Sequence, residues 1–594
     1  MRIPRPTKLW TRTVALAAAG TLTVGALAAC DAGSATSAAT DGSGTTTAEI
    51  SATDNSGRSA QEVLSENLSS AETAALADET WDTADEVAVS LDGDTASASG
   101  DGVTVDGSTV TITQPGTYRL SGTLDDGQVV VDSSADGVVR LVLDGADVTS
   151  STGAAVDVQD ADQVSVVLAD DSTNRLEDAA EYADTTSDNA ADAALYSTAD
   201  LAISGDGKLD VVGNANDGIT GKDGLVIAGG TISVTAADDA IRGKDYLVVA
   251  GGTVSVDAGG DGLKSDADDD ATAGYVALTG GDVTVKAASD GVQGFTDVAI
   301  TDGTLAVTGS EEGIEAATIA VSGGDVDITS TDDGLNATVK EAEDDTATDD
   351  TATDDAATDD SASGTDDQQD QQGTAPEPPA DGEMPADGQG QPPADGEMPQ
   401  GGGGGGGGGM DAVQEGASLT ITGGTLHVDA EGDGLDSNGV AVVSGGDVVV
   451  EGPTNGGNGA LDSAGGTTVS GGTVLAVGSS GMAEGFADDS PQGWVALTAD
   501  STLEAGTEVA VVDADGSTVA AITLTKTAQS VVYTGPEVTD GDTYTLTADG
   551  TEVGTATAGE APAGGMGGGM GGGQPGQGTQ DGSTDQSSSD TAAS

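Results

Sequence analysis

An acidic residue followed by glycine or alanine recurs about every 22 residues through the middle of the chain. If each repeat stacks on the next at the roughly 4.8 Å spacing of paired strands, these acidic side chains form a ladder. Like charges about 5 Å apart repel by roughly 0.8 kcal/mol in water and by more at a partly desolvated surface. A ladder of this kind therefore needs counter-ions. Its members are Asp217, Asp239, Asp261, Asp290, Glu312 and Asp333.

Calcium is the cation that these side chains predict. Ca²⁺ binds about six to eight oxygen atoms from carboxylates, carbonyls and water, which this sequence supplies. The single histidine and single cysteine argue against zinc chemistry and against an intramolecular disulfide framework. Asp-Gly is also a common turn whatever it binds, so a purely structural role for any one pair stays open. The predicted metal ligands are Asp217, Asp223, Asp239, Asp245, Asp261, Asp266, Asp268 and Asp290.

Basic and aromatic residues recur beside these acids at the same period. Lysine or arginine residues 22 positions apart should lie above one another, and two tyrosines lie one repeat apart. Such a mixed ladder could meet the carboxylates and the ring faces of a uronic-acid polymer. The alternative is that the cations only neutralise neighbouring aspartates. The predicted carbohydrate-binding residues are Lys222, Arg242, Lys244, Lys264, Tyr246 and Tyr275.

The elements that position these residues are predicted to be short strands. Within one repeat, Ile232 and Val234 alternate with Thr231, Ser233 and Thr235, a period of two that is typical of a strand with one buried face. Self-similarity in the 20–50 residue range indicates a solenoid, in which each repeat packs only on its neighbours. We therefore predict an all-β fold, a parallel β-helix with coils of about 22 residues.

The N-terminus has the pattern of an export signal. Residues 1–29 begin with a basic segment and continue into an apolar stretch that is too short at its core for a confident membrane span. The sequence Leu27-Ala28-Ala29-Cys30 closely resembles the lipobox of bacterial lipoproteins. That resemblance implies cleavage before Cys30, lipidation of its thiol, and an extracytoplasmic protein anchored to the membrane. The alternative is an ordinary signal peptide with an incidental cysteine.

Composition divides the remainder of the chain into segments. Residues 30–86 are predicted to be a flexible tether, with a short helix within 61–77. The β-helix should occupy residues 87–338 and resume over 419–486, where His427 is expected to face solvent. The acidic, Pro-rich and Gly-rich insert 339–418 and the tail 561–594 are predicted to be disordered, and the insert could be a binding arm or a spacer. Residues 487–560 read as a small antiparallel cap that covers the open end of the helix.

Several stretches resemble one known family. These are VTVDGSTVTITQPGTYRLSGTLDDGQVVVD, AALYSTADLAISGDGKLDV, and the tandem NDGITGKD, DDAIRGKD and GDGLKSDAD. They are similar to the calcium-binding and carbohydrate-binding proteins first recognised in cellulolytic clostridia. The resemblance implies a right-handed parallel β-helix, exposure at the cell surface, and binding of plant-type or acidic polysaccharides with the help of calcium.

Three functions are compatible with these observations. The expected one is a monomeric polysaccharide-binding surface lipoprotein. A β-helical polysaccharide lyase is the second, in which calcium would acidify a sugar proton and Arg242 or Lys244 would abstract it. The periodic recurrence of the site-like residues argues against it, because a catalytic centre is usually unique. The third is a passive, calcium-stabilised adhesion protein. The net charge of −87 makes nucleic acid an unsuitable partner.

Overall fold

A computed structural model describes residues 57–77, 80–182, 190–340 and 413–561, all within the second of two compact units, Ala48–Ser594. The predictions for the export signal, for Cys30, for the tether up to residue 56, for residues 341–412 of the insert and for residues 562–594 lie outside the described residues. The described residues are nearly all β, which confirms the predicted all-β class. In this part of the chain no helix has the length and apolar character needed to cross a membrane.

The described strands form three sheets, of 23, 13 and 4 strands. Most neighbouring strands in the two larger sheets are parallel, whereas the four-stranded sheet is antiparallel. The ten N-terminal strands are β1 Val87–Gly93, β2 Thr95–Ala98, β3 Val103–Asp106, β4 Thr109–Ile112, β5 Gly116–Leu124, β6 Gln128–Asp132, β7 Val138–Thr149, β8 Val156–Asp160, β9 Gln163–Leu168 and β10 Thr173–Glu177.

The repeats contain the middle strands, usually three to a repeat, and each strand pairs with its counterpart in the next repeat. Ile232 lies beside Val254 in the 23-stranded sheet, and Ile241 lies beside Leu263 in the 13-stranded sheet. These strands are β11 Ala193–Ser197, β12 Leu201–Gly205, β13 Lys208–Gly213, β14 Asp217–Gly221, β15 Gly224–Ile227, β16 Thr231–Ala236, β17 Ile241–Gly243, β18 Tyr246–Val249, β19 Thr253–Ala258, β20 Leu263–Ser265, β21 Tyr275–Leu278, β22 Asp282–Lys286, β23 Val292–Gly294, β24 Asp297–Ile300, β25 Thr304–Val307, β26 Ile314–Ala316, β27 Thr318–Val321, β28 Asp325–Ser330, β29 Leu335–Ala337, β30 Ser418–Ala430, β31 Leu435–Ser437, β32 Val440–Glu451, β33 Leu461–Ser463 and β34 Thr467–Gly478.

The core lies between the inward faces of the two large sheets. In β16, Ile232 and Val234 are buried, and Thr231, Ser233 and Thr235 are exposed, as their alternation predicts. One cluster of buried side chains joins residues from both sheets along the whole run of repeats. Because burying a valine, leucine or isoleucine side chain contributes about 1.5–3 kcal/mol, this continuous core dominates the stability of the repeats.

Tight turns with glycine at a positive φ connect the strands within each repeat. Gly252, between β18 and β19, has φ +87°, and a Cβ there would lie 2.9 Å from the carbonyl carbon of Gly229 in the preceding repeat. A side chain would therefore be strained by its backbone angle and would push neighbouring repeats apart. This close approach explains the Gly-Gly pairs at this register.

A segment that we call the strap, residues 57–77, crosses the outer face of the 23-stranded sheet. It contains two five-residue helices, α1 Ala60–Leu64 and α2 Ala71–Ala75. The Ala60 N–H donates to Ser322 Oγ at 2.7 Å, and Ser165 Oγ donates to the Leu76 carbonyl at 2.9 Å. The strap therefore runs from the end of β27 to β9. The flexible tether predicted over residues 30–86 includes this segment, which instead packs on the sheet.

The two ends of the insert meet at its base. The Val339 N–H donates to Gln414 Oε1 at 2.7 Å, and Gln414 Nε2 donates to the Val339 carbonyl at 3.1 Å. Strand pairing then continues across the insertion, because β29 lies beside β31 and β28 beside β30. Val339 and Gln414, on the two sides of the insertion, are therefore held together in the fold.

The C-terminal strands are antiparallel. They are β35 Trp494–Leu503, β36 Glu508–Val512, β37 Thr518–Thr523, β38 Ala528–Thr534, β39 Thr543–Ala548 and β40 Thr551–Thr557. Strand β38 pairs with both β34 and β35, and a separate four-stranded sheet follows in the order β37, β36, β39, β40. Asp515-Gly516 and Asp549-Gly550 lie in turns between strands of this sheet, and Gly516 and Gly550 have positive φ.

Candidate cation and carbohydrate site

The 13-stranded sheet places one polar residue from each repeat in a column on its outer face. Most of its strands in the repeats are three residues long, with the two ends buried and the middle residue partly exposed. Because side chains alternate along a strand, the middle residue points away from the core. We call this set the site column. Its members, paired in this order, are Thr220, Arg242, Lys264, Gln293, Glu315 and Asn336.

The predicted acid ladder runs beside the site column, and its aspartates bond to the backbone of the next repeat. Asp217 Oδ1 accepts the Asp239 N–H at 3.2 Å, Asp239 Oδ1 accepts the Asp261 N–H at 2.8 Å, and Asp261 Oδ1 accepts the Asp290 N–H at 2.9 Å. All four residues are buried. One oxygen of each of the first three carboxylates thus has a structural role. The second oxygen is available to a cation in Asp239 and Asp261, whereas in Asp217 it also accepts the Thr220 hydroxyl at 2.8 Å.

In the repeats that contain Asp217, Asp239 and Asp261, the cations next to the carboxylates are an arginine and a lysine side chain. Arg242 lies 2.5 Å from Asp266 Oδ2 and 3.9 Å from Asp217 Oδ2. Lys264 Nζ lies 2.9 Å from Asp261 Oδ2 and 3.1 Å from Asp239 Oδ2. Four of the predicted metal ligands are therefore ion-paired in the described structure. Arg242 and Lys264 thus pair with neighbouring aspartates.

Asp217 and Asp239 remain harder to ionise than a free aspartate despite those pairs. Burial, followed by the charges of Asp239 and Asp192, raises the pKa of Asp217 to about 8. Burial and the charge of Asp261 raise the pKa of Asp239 to about 6, and Lys264 opposes them. Negative charge is thus costly along the ladder even beside its cations.

The other predicted ligands lie beyond the site column, at the turn into the next strand. Burial, followed by the charge of Asp245, raises the pKa of Asp223 to about 6. Burial, followed by the charge of Asp269, also raises the pKa of Asp245. The charge of Lys244 opposes both shifts. Asp268 lies in the longer segment between β20 and β21 and is partly buried. Lys222 Nζ lies 3.1 Å from Asp192 Oδ2 and 5.8 Å from the centre of the Tyr196 ring.

Further along the ladder the carboxylates outnumber the cations. Among the described residues, one group of three acidic side chains brings its oxygens within 4.8 Å of one another: Asp290, Glu312 and Glu315. We call this group the carboxylate triad. Burial, followed by the charge of Asp261, raises the pKa of Asp290 to about 9; burial, followed by Glu315, raises that of Glu312 to about 8. The triad combines two ladder acids with Glu315 of the site column, and it is the group best suited to a divalent cation.

Two neutral amides border the triad. Gln293 Nε2 donates to Asp290 Oδ2 at 2.7 Å, and Asn336 Nδ2 donates to Glu312 Oε1 at 3.1 Å. Glu312 Oε2 and Asn336 Oδ1 are buried oxygens without a hydrogen-bond partner. The group around the triad therefore contains more hydrogen-bond acceptors than donors. The two side-chain amides can also turn to present oxygen instead of nitrogen to a cation. This is the donor set that Ca²⁺ prefers.

Sequence reasoning included Asp290 as a ligand but missed Glu315, Gln293 and Asn336. Each of these follows a ladder acid by three positions, as Arg242 and Lys264 do. Aligning the repeats would have placed them in one column. The change of residue type from repeat to repeat hid that relationship.

A second acidic group lies near the C-terminal end of the same sheet. Burial is the largest cause of the raised pKa in each member, and the charges of neighbouring aspartates, Asp462 among them, add to it. The pKa values are about 7 for Asp333, Asp433 and Glu484 and about 8 for Asp436. The ladder thus continues past the insert, again with Asp433 donating its N–H to Asp333 Oδ1, at 2.6 Å.

The proposed role of the two tyrosines in sugar binding needs correction. Tyr246 and Tyr275 lie on the 23-stranded sheet, away from the site column, and are 3% and 2% exposed. Their rings stack on each other at 5.4 Å, and a Cβ at Gly224 would lie 2.1 Å from the Tyr246 ring. The Tyr246 hydroxyl bonds to Thr73 in the strap at 2.7 Å. The ring faces are therefore occupied by protein and cannot receive a sugar.

Comparison with known proteins supports a carbohydrate-related family for part of the chain. Residues 106–360 match a family model described as carbohydrate-binding domain-containing protein. A protein of that description from Acetivibrio thermocellus is 41% identical over 137 residues, which are 23% of this chain and 48% of the relative. The chain thus spans about half the length of that curated relative. The expected similarity to clostridial carbohydrate-binding proteins is confirmed for this segment.

A solved structure also resembles part of the chain. It is described as a polysaccharide lyase-like protein from C. thermocellum, in a gadolinium derivative. The sequence identity is 32%, the alignment covers 42% of this chain and 96% of the other, and the TM-score is 0.37.

Proposed function

We propose that this protein binds an acidic or plant-cell-wall polysaccharide at the cell surface through a calcium-stabilised, right-handed parallel β-helix. In this proposal the stacked strands of the two large sheets are the coils of the helix, and lipid on Cys30 holds the protein to the membrane. The main support is that the segment matching the carbohydrate-binding family, residues 106–360, includes the whole site column and the acid ladder from Asp217 to Asp333.

Calcium would bind at the carboxylate triad. Asp290, Glu312 and Glu315 would supply charged oxygens, and Gln293 and Asn336 would supply amide oxygens. When bound, calcium would neutralise carboxylates that burial makes costly to ionise, and it would offer free coordination positions to a sugar carboxylate or hydroxyl. Arg242 and Lys264 lie in the same column, one to three repeats away, and would add positive charge for an acidic polymer.

The surroundings of Arg242 suit a role in binding better than the role of catalytic base in a lyase. A catalytic base must lose its proton, but the Asp266 and Asp217 carboxylates outweigh the opposing effect of burial and raise the pKa of Arg242. The guanidinium is therefore fixed as a cation between two carboxylates, which suits electrostatic recognition. We propose that the protein is not an enzyme and acts as a monomer.

A pull-down with insoluble pectin or cellulose tests the proposal. The full chain should be retained when calcium is present and released by a chelator. The double substitution Glu312→Gln and Glu315→Gln should abolish the calcium-dependent part of retention, and Glu311→Gln, an exposed neighbour, should leave it unchanged. Calcium-dependent melting without retention would support the passive adhesion role. Release of unsaturated sugars that absorb ultraviolet light would support a lyase.

A further inference from the structure

The carboxylate triad already touches one positive charge, at the base of the insert. Lys340 follows β29, and its ammonium group forms an ion pair with Glu315 Oε2. The Lys340 side chain is 32% exposed and that of Glu315 is 11% exposed. Lys340 is thus in direct contact with one member of the triad, Glu315.

When its three carboxyl groups are ionised, the triad carries more negative charge than its one cation balances. Three carboxylates lie together, and Lys340 is the cation with an ion pair to this group among the described residues. The amides of Gln293 and Asn336 contribute hydrogen bonds without charge. One ammonium therefore satisfies the triad only in part, which leaves Glu312 Oε2 without a hydrogen-bond donor.

Lys264 provides a useful contrast in the same column. Its ammonium lies between Asp239 Oδ2 and Asp261 Oδ2, at 3.1 and 2.9 Å, and its side chain is 23% exposed. Two carboxylates facing one lysine form a nearly balanced group. The triad has one more carboxylate, and its lysine comes from the base of the insert and not from the site column.

We propose that Lys340 is a built-in counter-ion that a divalent cation must displace from the triad. A cation shared by all three carboxylates needs an oxygen of Glu315, and two positive charges on that carboxylate repel each other. Lys340 would therefore lower the affinity of the site for calcium and hold the metal-free triad together. This inference rests on the proposed calcium site and adds the residue that sets its affinity.

Calorimetric titration of the full chain with calcium tests this role. Lys340→Met should lower the calcium dissociation constant at least tenfold, because the competing charge is gone. The matched control is Lys286→Met, which removes an exposed lysine paired with Asp257 on the 23-stranded sheet; it should change the constant less than twofold. Lys340→Arg keeps the charge and should bind calcium no more tightly than the wild type.

A second measurement uses the unmodified protein and so does not depend on the folding of a variant. Calcium should increase the rate at which an acetylating reagent modifies Lys340, read by mass spectrometry, because displacement breaks the ion pair. The rate at Lys286 should stay constant.

The outcomes separate this inference from the proposed function. If the wild type binds calcium, but Lys340→Met binds it equally or more weakly and the labelling of Lys340 is unchanged, the inference is overturned while the calcium site stands. If neither the wild type nor Lys340→Met binds calcium, the proposed site fails and the inference fails with it.

Discussion

Single residues of the ladder serve the backbone and the charge balance together. Asp261 shows both roles, because Oδ1 accepts the Asp290 N–H and Oδ2 pairs with Lys264. A buried donor that loses its acceptor costs about 1–3 kcal/mol. The two oxygens can therefore be tested separately with substitutions that remove one role or both.

We expect Asp261→Ala to lower the free energy of unfolding by about 1–3 kcal/mol more than Asp261→Asn does. Asparagine keeps an oxygen for the Asp290 N–H, whereas alanine leaves that N–H and Lys264 with fewer acceptors. Chemical denaturation measures both variants, and Asp238→Ala, at an exposed neighbour, is the control. Equal costs for alanine and asparagine would mean that the backbone bond contributes nothing.

His427 is a second residue whose charge matters. It lies 3.2 Å from Asp327 and 3.7 Å from Glu451, which is buried and accepts the Thr525 N–H of the C-terminal region at 2.8 Å. The nearby Glu451 carboxylate raises the pKa of His427 from 6.5 to about 9; burial opposes this rise, and Asp327 adds to it. The expectation that this residue faces solvent holds only in part, because its side chain is 39% exposed.

The stabilisation from His427 should depend on pH. Since its folded pKa is above the unfolded value, the contribution is fully present below about pH 6.5 and is lost as the pH rises through about 9. His427→Gln should therefore destabilise the protein at pH 6 and have little effect at pH 10, as measured by chemical denaturation. Thr425→Ala, an exposed change in the same strand, should have the same effect at both values. A pH-independent cost of His427→Gln would rule out a role for the charge.

At the scale of elements, alternation predicted the strands well and the strap poorly. Ile232 and Val234 could be oriented from sequence because a strand has only two faces. The tyrosines could not be placed, because the segment that buries them lies some 200 residues earlier and has no strand or long-helix pattern. Whether a side chain on the outer face of a sheet is exposed depends on which segment covers that face. The periodicity of the strand sequence does not contain this information.

The same limit explains the partial prediction of the site. The acid at each turn was visible because it recurs with its glycine, whereas Glu315 and Asn336 occupy a column whose residue type changes. The pairing of Arg242 with Asp266 also crosses repeats. A single sequence gives the register of such columns but not which neighbours satisfy each other's charge.

The strap offers a test at this scale. Val63 is buried in α1 and packs against Ala299 and Ala320, so Val63→Asp should place an unpaired charge on an apolar surface. We expect a loss of about 2–4 kcal/mol and faster hydrogen exchange of the strap amides. Gln61→Asp introduces the same side chain at an exposed position of that helix and should change stability by less than about 0.5 kcal/mol. If both substitutions have the same small effect, the strap does not hold the sheet.

At the scale of the whole molecule, the net charge of −87 opposes compactness. The screening length falls from about 30 Å at 0.01 M salt to about 10 Å at 0.1 M. We therefore expect the melting temperature to rise with sodium chloride and then level off. Calcium at matched ionic strength should raise it further, since a ligand at a hundred times its dissociation constant stabilises the folded state by about 2.7 kcal/mol. Equal effects of the two salts would leave screening as the whole explanation.

The closure at the base of the insert has a consequence for protein engineering. The side-chain amide of Gln414 bonds to both the backbone N–H and the backbone carbonyl of Val339. These two residues therefore set the geometry of the junction, whatever sequence is inserted between them. Loop-closure entropy changes by only about 0.6 kcal/mol for each doubling of length. The junction should therefore accept a foreign domain in exchange for residues 341–412, which would turn the protein into a scaffold for displaying cargo.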